Sequence, residues 1–180
     1  GGNGSVYGAS TGQGFGAAWI QPVEDRSQPR FAVSTNYTAS SSTGESADPE
    51  KGGILTDGAK GMFLTKVEYG SPRWQVSAAY SHKSGNSQPS AGFGTTAGKN
   101  RTGDTDAVGL RGYWKPETTG AIPSISVGYD VATVDDDGKT GSTEETTGWM
   151  VGLSWKDAFV DGNSAGVAFA QRQYASDIVG

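Results

Sequence analysis

Eight stretches of this sequence alternate between apolar and polar residues at every second position. In a β-strand successive side chains point to opposite faces, so this alternation gives each strand one apolar and one polar face. No stretch keeps a helical period, and the best helical candidate, 156–162, is long enough for no more than a turn. The sequence therefore predicts an all-β chain with strands at 14–21, 30–39, 61–69, 73–82, 105–115, 124–133, 146–155 and 164–171.

The connections between these strands alternate in length. Short turns at 21–29, 70–72, 116–123 and 157–163 alternate with long polar connections at 40–60, 83–104 and 134–145. In an up-and-down antiparallel meander, this order collects the long connections at one end of the sheet and the short turns at the other. Outer-membrane barrels have this asymmetry.

Charged residues within the predicted strands avoid the apolar face. They fall on the opposite face, where we expect them to line a pore: Lys66, Glu68, Arg73, Arg111 and Asp130. A Lys or Arg facing lipid costs about 2–4 kcal/mol at the bilayer midplane. A well-packed soluble core excludes charge as well, so charge alone does not decide between the two environments.

Aromatic residues of the apolar face concentrate at the strand ends. Those near the short turns are Trp19, Phe31, Tyr69, Trp74, Trp114 and Trp155; those toward the long connections are Tyr37, Phe63, Tyr80, Tyr129 and Trp149. Amphipathic rings favour the headgroup level of a bilayer, so two such groups are typical of the lipid-facing aromatic belts of membrane proteins.

Small residues dominate the opposite face, as Ser77, Gly109, Ser126, Gly128 and Gly152 illustrate. Small side chains suit the wall of a water-filled lumen, which bulky ones would block. The combined pattern predicts an antiparallel up-and-down transmembrane β-barrel, with residues 1–180 forming a single barrel domain. A soluble β-sandwich that acts as a binding module remains the alternative.

Composition limits the chemistry that this chain can perform. The net charge of −5 disfavours nucleic acid as a partner. The chain has no cysteine and one histidine, which excludes thiolate and histidine-rich metal sites. No Ser–His–Asp set or convincing carboxylate pair stands out. We therefore predict no enzymatic activity, no catalytic residues, no metal site and no cofactor.

One run in the last third of the chain resembles a known family. It is TTGWMVGLSWKDAFVDGNSAGVAFAQRQY, residues 146–174, with weaker support from AVGLRGYWKP and SISVGYD. The run is similar to cyanobacterial outer-membrane porins that join an S-layer-homology module to a barrel of the carbohydrate-selective porin (OprB) type. The resemblance covers the chain as a middle section of such a barrel, and no S-layer-homology module is present in it.

The resemblance implies a porin in a Gram-negative, cyanobacterial outer membrane. It implies a barrel of roughly sixteen strands, of which this chain would supply half. It further implies a homotrimer surrounded by membrane lipid, with peptidoglycan contacted only through the absent module. Small hydrophilic solutes and inorganic ions, with iron or sugars among them, would cross passively. A small closed eight-stranded barrel with a structural or receptor role is the second interpretation.

Overall fold

The chain folds into one antiparallel sheet of eight strands. The structure is a computed structural model that describes residues 14–39, 61–84, 104–118, 120–135, 143–158 and 160–178. Its strands are β1 (Gly14–Ile20), β2 (Arg30–Ala39), β3 (Gly61–Ser71), β4 (Trp74–Lys83), β5 (Asp104–Trp114), β6 (Ser124–Asp135), β7 (Thr143–Lys156) and β8 (Ser164–Ile178). Each strand pairs with the next along the chain, which confirms the predicted all-β, up-and-down architecture.

Strands β7 and β8 extend beyond their predicted limits. The prediction for β8 ended at 171, whereas the strand continues to Ile178. Register irregularities explain the difference: Trp149 aligns with Gln171, but Thr147 aligns with Tyr174, so β8 carries an extra residue there. An extra residue changes which face the following side chains occupy. The apolar–polar alternation in the sequence is therefore interrupted there, and the strand is not recognised beyond that point.

The connection between β7 and β8 is a turn, as predicted for this segment. Asp157 adopts φ of 53° and Gly162 adopts φ of 88°. The Gly162 N–H donates to Asp157 Oδ1 at 2.9 Å, and the Asn163 N–H donates to the Val160 carbonyl at 3.1 Å. These bonds close the chain tightly enough for β8 to return beside β7.

The apolar face of the sheet is more exposed than the opposite face. On the apolar face, Leu110 and Val127 are 49% and 46% exposed. On the opposite face, which we call the small-residue face, Ala79, Ala107 and Ala132 form a buried cluster against which Leu64 packs. Soluble proteins normally bury the apolar face of a sheet and expose the polar one. Strands β3 to β6 do the reverse, whereas β1 and β8 are exposed on both faces.

Candidate lipid-facing surface and inner wall

The aromatic residues near the short turns form a continuous belt on the apolar face. Trp19 and Phe31 have ring centroids 6.3 Å apart, and Tyr69 and Trp74 meet edge-on at 5.6 Å. Phe31 aligns with Tyr69 across β2 and β3, and Trp74 aligns with Trp114 across β4 and β5. These contacts and alignments link five consecutive strands. We call this set, with Trp155 of β7, the turn-end belt.

A second aromatic belt lies toward the long connections. It consists of Tyr37, Phe63, Tyr80, Tyr129 and Trp149, and we call it the loop-end belt. Tyr37 aligns with Phe63 and Tyr129 aligns with Trp149. Tyr37 is buried and lies 6.0 Å from Phe15, whereas the other four rings are exposed.

The two belts keep a constant separation along the strands. In four strands a ring of one belt stands six residues from a ring of the other: Phe31 and Tyr37, Phe63 and Tyr69, Trp74 and Tyr80, Trp149 and Trp155. Six residues of strand span roughly 20 Å. Between the belts, the described residues of the apolar face carry no charge. The surface is therefore an apolar band with aromatic margins.

Both belts shift toward the short turns as the sheet is followed from β1 to β7. In the turn-end belt, Trp19 aligns with Val33, two residues from Phe31, and Trp74 aligns with Ser71, two residues from Tyr69. Leu153, two residues from Trp155, aligns with Ile125, the partner of Trp114. The belt therefore shifts by two residues at three of the six steps between neighbouring strands. The average shift is about one residue per strand. Neighbouring strands lie about 4.8 Å apart and rise about 3.3 Å per residue. A shift of one residue per strand therefore places each belt in a plane perpendicular to the barrel axis when the strands tilt by roughly 35° from that axis. Strands in transmembrane barrels tilt by about 35–45°.

Polar groups meet the belts at their margins. The Tyr80 hydroxyl donates to the Asp106 carboxylate, which also contacts His82 Nδ1 at 2.9 Å. At the opposite end the Trp155 indole N–H donates to the Ala121 carbonyl at 3.0 Å. Tyr and Trp rings at a membrane interface bury their apolar part and keep the polar atom in a wet region. The contacts of these two rings fit that pattern.

Charged side chains on the small-residue face form ion pairs. Lys66 Nζ lies 2.6 Å from Glu68 Oε1, which also accepts a hydrogen bond from the Gln75 side-chain amide at 2.8 Å. Arg111 Nη2 donates to Asp130 Oδ2 at 2.7 Å, and its Nη1 donates to the carbonyls of Leu110 and Tyr129 at 2.8 and 3.2 Å. The structure thus brings four of the five predicted pore-lining residues together in two pairs.

Arg73, the fifth predicted residue, lies off the strands. It occupies the turn between β3 and β4, where its guanidinium pairs with Glu117 and donates to the Lys115 carbonyl at 3.4 Å. This pair belongs to the short-turn rim of the sheet. Glu117 was missed by the sequence analysis because it lies in a connection, where alternation carries no information about which residues meet.

Comparison with protein-family models, with curated proteins and with solved structures found no match for this chain. The described part of the chain contains no helix of the length and hydrophobicity needed to cross a bilayer. Within the same residues there is no group of three or more His, Cys, Asp or Glu side chains arranged to hold a metal ion.

Proposed function

We propose that this chain forms the wall of an outer-membrane porin, through which small hydrophilic solutes and inorganic ions diffuse passively. The observation that carries the proposal is the exposed apolar face of the sheet. Two aromatic belts border this face, and both shift in the same direction from strand to strand. Lipid is the solvent that such a face fits, because burying apolar surface there avoids contact with water. The small-residue face would then line the lumen.

The physical basis of permeation is the replacement of lipid by water. A polar group that enters hydrocarbon without a hydrogen-bond partner costs several kcal/mol. A lumen lined by Ser77, Ser126 and Gly109 removes that cost, since the solute keeps its hydration while it crosses. Small side chains also leave the path wide, so pore width and wall charge would set the selectivity.

The proposal requires both edges of the sheet, β1 and β8, to be paired. Unpaired strand edges do not persist in hydrocarbon, because each free N–H and C=O lacks a partner. In this proposal β1 and β8 therefore pair, either with each other or with further strands of a barrel of roughly sixteen. The resemblance to cyanobacterial S-layer-homology porins favours the larger barrel, a homotrimer, and sugars or iron among the solutes.

The membrane orientation of the sheet can be tested by cysteine labelling. Single cysteines at Val76, Val127 and Val151 should react poorly with a water-soluble thiol reagent in intact membranes, because lipid covers that face. Matched cysteines at Ser77, Ser126 and Ser154, each next to or near one of these in sequence, should react readily. Equal labelling of the two sets would reject the barrel.

Conductance separates the porin from a small closed barrel with a structural or receptor role. Reconstitution into a planar bilayer should give discrete open-channel currents that scale with salt concentration. A protein whose Val127→Cys variant is shielded by lipid but which carries no current would be a structural barrel. The two experiments together therefore distinguish a soluble sheet, a closed barrel and a pore.

A further inference from the structure

Four charged side chains on the small-residue face alternate in sign over two neighbouring cross-strand rows. Lys66 and Asp130 share one row, linked through Ala79 and Gly109. Glu68 and Arg111 share the next row, linked through Ser77. The β3 side chain is positive and its counterpart negative in the first row, and the order of the charges is reversed in the second row. We call Lys66, Glu68, Arg111 and Asp130 the charge quartet.

The floor between the two halves of the quartet is low. Ser77 and Ala79 of β4 have small side chains and Gly109 of β5 has none, so these three positions place no large side chain between the two pairs. The two halves stand two to three strands apart, or roughly 10–15 Å at the usual strand spacing. Ser77 is half-buried, whereas Ala79 and Gly109 are buried, so a solute that meets the quartet lies above this floor and contacts the ion pairs themselves.

Each half of the quartet is neutral, and the accessible charge belongs mainly to Lys66, Glu68 and Arg111, because Asp130 is buried. The side chains of Lys66, Glu68 and Arg111 are 29%, 28% and 24% exposed, and that of Asp130 is 11% exposed. Their fields are therefore screened less than those of fully exposed pairs. Because opposite charges lie within 2.7 Å in each pair, the field reverses sign over a few ångströms.

Such a field discriminates between solutes by charge distribution and not by net charge. A solute with a single charge is attracted by one member of a pair and repelled by the other at nearly the same distance, so the two contributions largely cancel. A solute that carries an ammonium and a carboxylate a few ångströms apart can place each against its opposite. Both of its groups are then stabilised at once.

We propose that the charge quartet is a subsite for net-neutral zwitterionic solutes, the chemical class to which α-amino acids belong. The proposal rests on the porin function and deepens it by naming a solute class. Passage of zwitterions is favoured over that of anions and cations of the same size.

The test uses four solutes of equal heavy-atom number: glycine, which is zwitterionic, glycolamide, which is uncharged, glycinamide, which is cationic, and glycolate, which is anionic. Influx into proteoliposomes holding the whole protein is measured for each, with protein-free vesicles as the background. Wild-type protein should pass glycine faster than glycinamide or glycolate, by about threefold or more, a free-energy difference of ~0.65 kcal/mol.

Variants that preserve net charge isolate the subsite. The double variants Arg111→Gln/Asp130→Asn and Lys66→Gln/Glu68→Gln each delete one half of the quartet. Both should lower glycine influx relative to glycolamide, again by about threefold. The matched control is Arg73→Gln/Glu117→Gln, which deletes an ion pair at the rim and should leave that ratio unchanged.

Each outcome is decisive. Wild-type protein that passes none of the four solutes above background would reject the porin function itself. Normal glycolamide influx with an unchanged glycine ratio in both wall variants would overturn the subsite and leave the porin standing. An equal fall in the rim variant would also overturn it, since the effect would not belong to the quartet.

Discussion

Arg111 lies flat across Gly128, the residue directly opposite it on β6. A Cβ atom added to Gly128 would stand 3.1 Å from Arg111 Cδ and 3.2 Å from Nε. A side chain at position 128 would therefore crowd the guanidinium where it reaches the Tyr129 carbonyl and the Asp130 carboxylate. These bonds hold the guanidinium close to the backbone of the small-residue face, where its side chain is 24% exposed.

We expect Gly128→Ala to destabilise the protein by about 1–3 kcal/mol, the usual cost of overpacking a fitted site. The added methyl would also meet Met150 Cγ at 2.9 Å, so two side chains must move. Gly152→Ala is the matched control, because its nearest neighbour would be Ser126 Cβ at 3.9 Å. Urea unfolding from lipid vesicles measures both; equal midpoints would contradict the close fit.

Removing one partner of the Arg111–Asp130 pair should cost more than removing both. Asp130→Ala leaves the guanidinium without its carboxylate, and we expect a loss of about 2–4 kcal/mol in the free energy of unfolding. The double variant Arg111→Met/Asp130→Ala removes the stranded charge and should recover part of that loss. A double-variant loss equal to the sum of the single losses would show that the two side chains are not coupled.

A charge placed on the apolar face should be far more costly than one placed on the small-residue face. Val127 lies between the belts and Ser126, its neighbour in sequence, points the other way. Val127→Arg should reduce the free energy of folding into vesicles by about 2–4 kcal/mol, whereas Ser126→Arg should change it by well under half as much. Similar losses for the two variants would argue against lipid on the apolar face.

All five tryptophans of the chain belong to the two belts. Trp19, Trp74, Trp114 and Trp155 lie in the turn-end belt and Trp149 lies in the loop-end belt. Native fluorescence in vesicles should therefore be quenched more by lipids brominated close to the headgroup than by lipids brominated near the chain end. Stronger quenching from the bilayer centre would displace the belts from the interface.

The sequence predicts the strands well where pairing is regular. β2 was predicted to the residue, because Arg30–Ala39 alternates without interruption. β8 was cut short at 171, since the extra residue near Gln171 shifts Tyr174 onto the apolar face. The alternation along a strand shows which face each side chain occupies, and it no longer does so beyond a bulge, because the extra residue exchanges the faces of the residues that follow.

The pairing of the charges on the small-residue face could not be predicted as fully as the strands. The alternation of side chains along each strand places Arg111 and Asp130 on one face, but their contact depends on the register of β5 against β6. That register aligns Arg111 with Gly128, and the intervening connection at 115–123 is too long to fix it. Lys66 and Glu68 needed no register, because residues two apart on a strand are neighbours on one face.

The spacing of the belts limits how this protein can change length during evolution. Deleting one residue between Trp74 and Tyr80 would turn every later side chain of β4 to the other face and would carry Tyr80 away from its belt. Deleting two would restore the facing but would leave that strand short of its neighbours by one pleat. Length variation is therefore expected in the connections, and the six-residue interval between aromatic rings should stay fixed while individual residues inside it are exchanged.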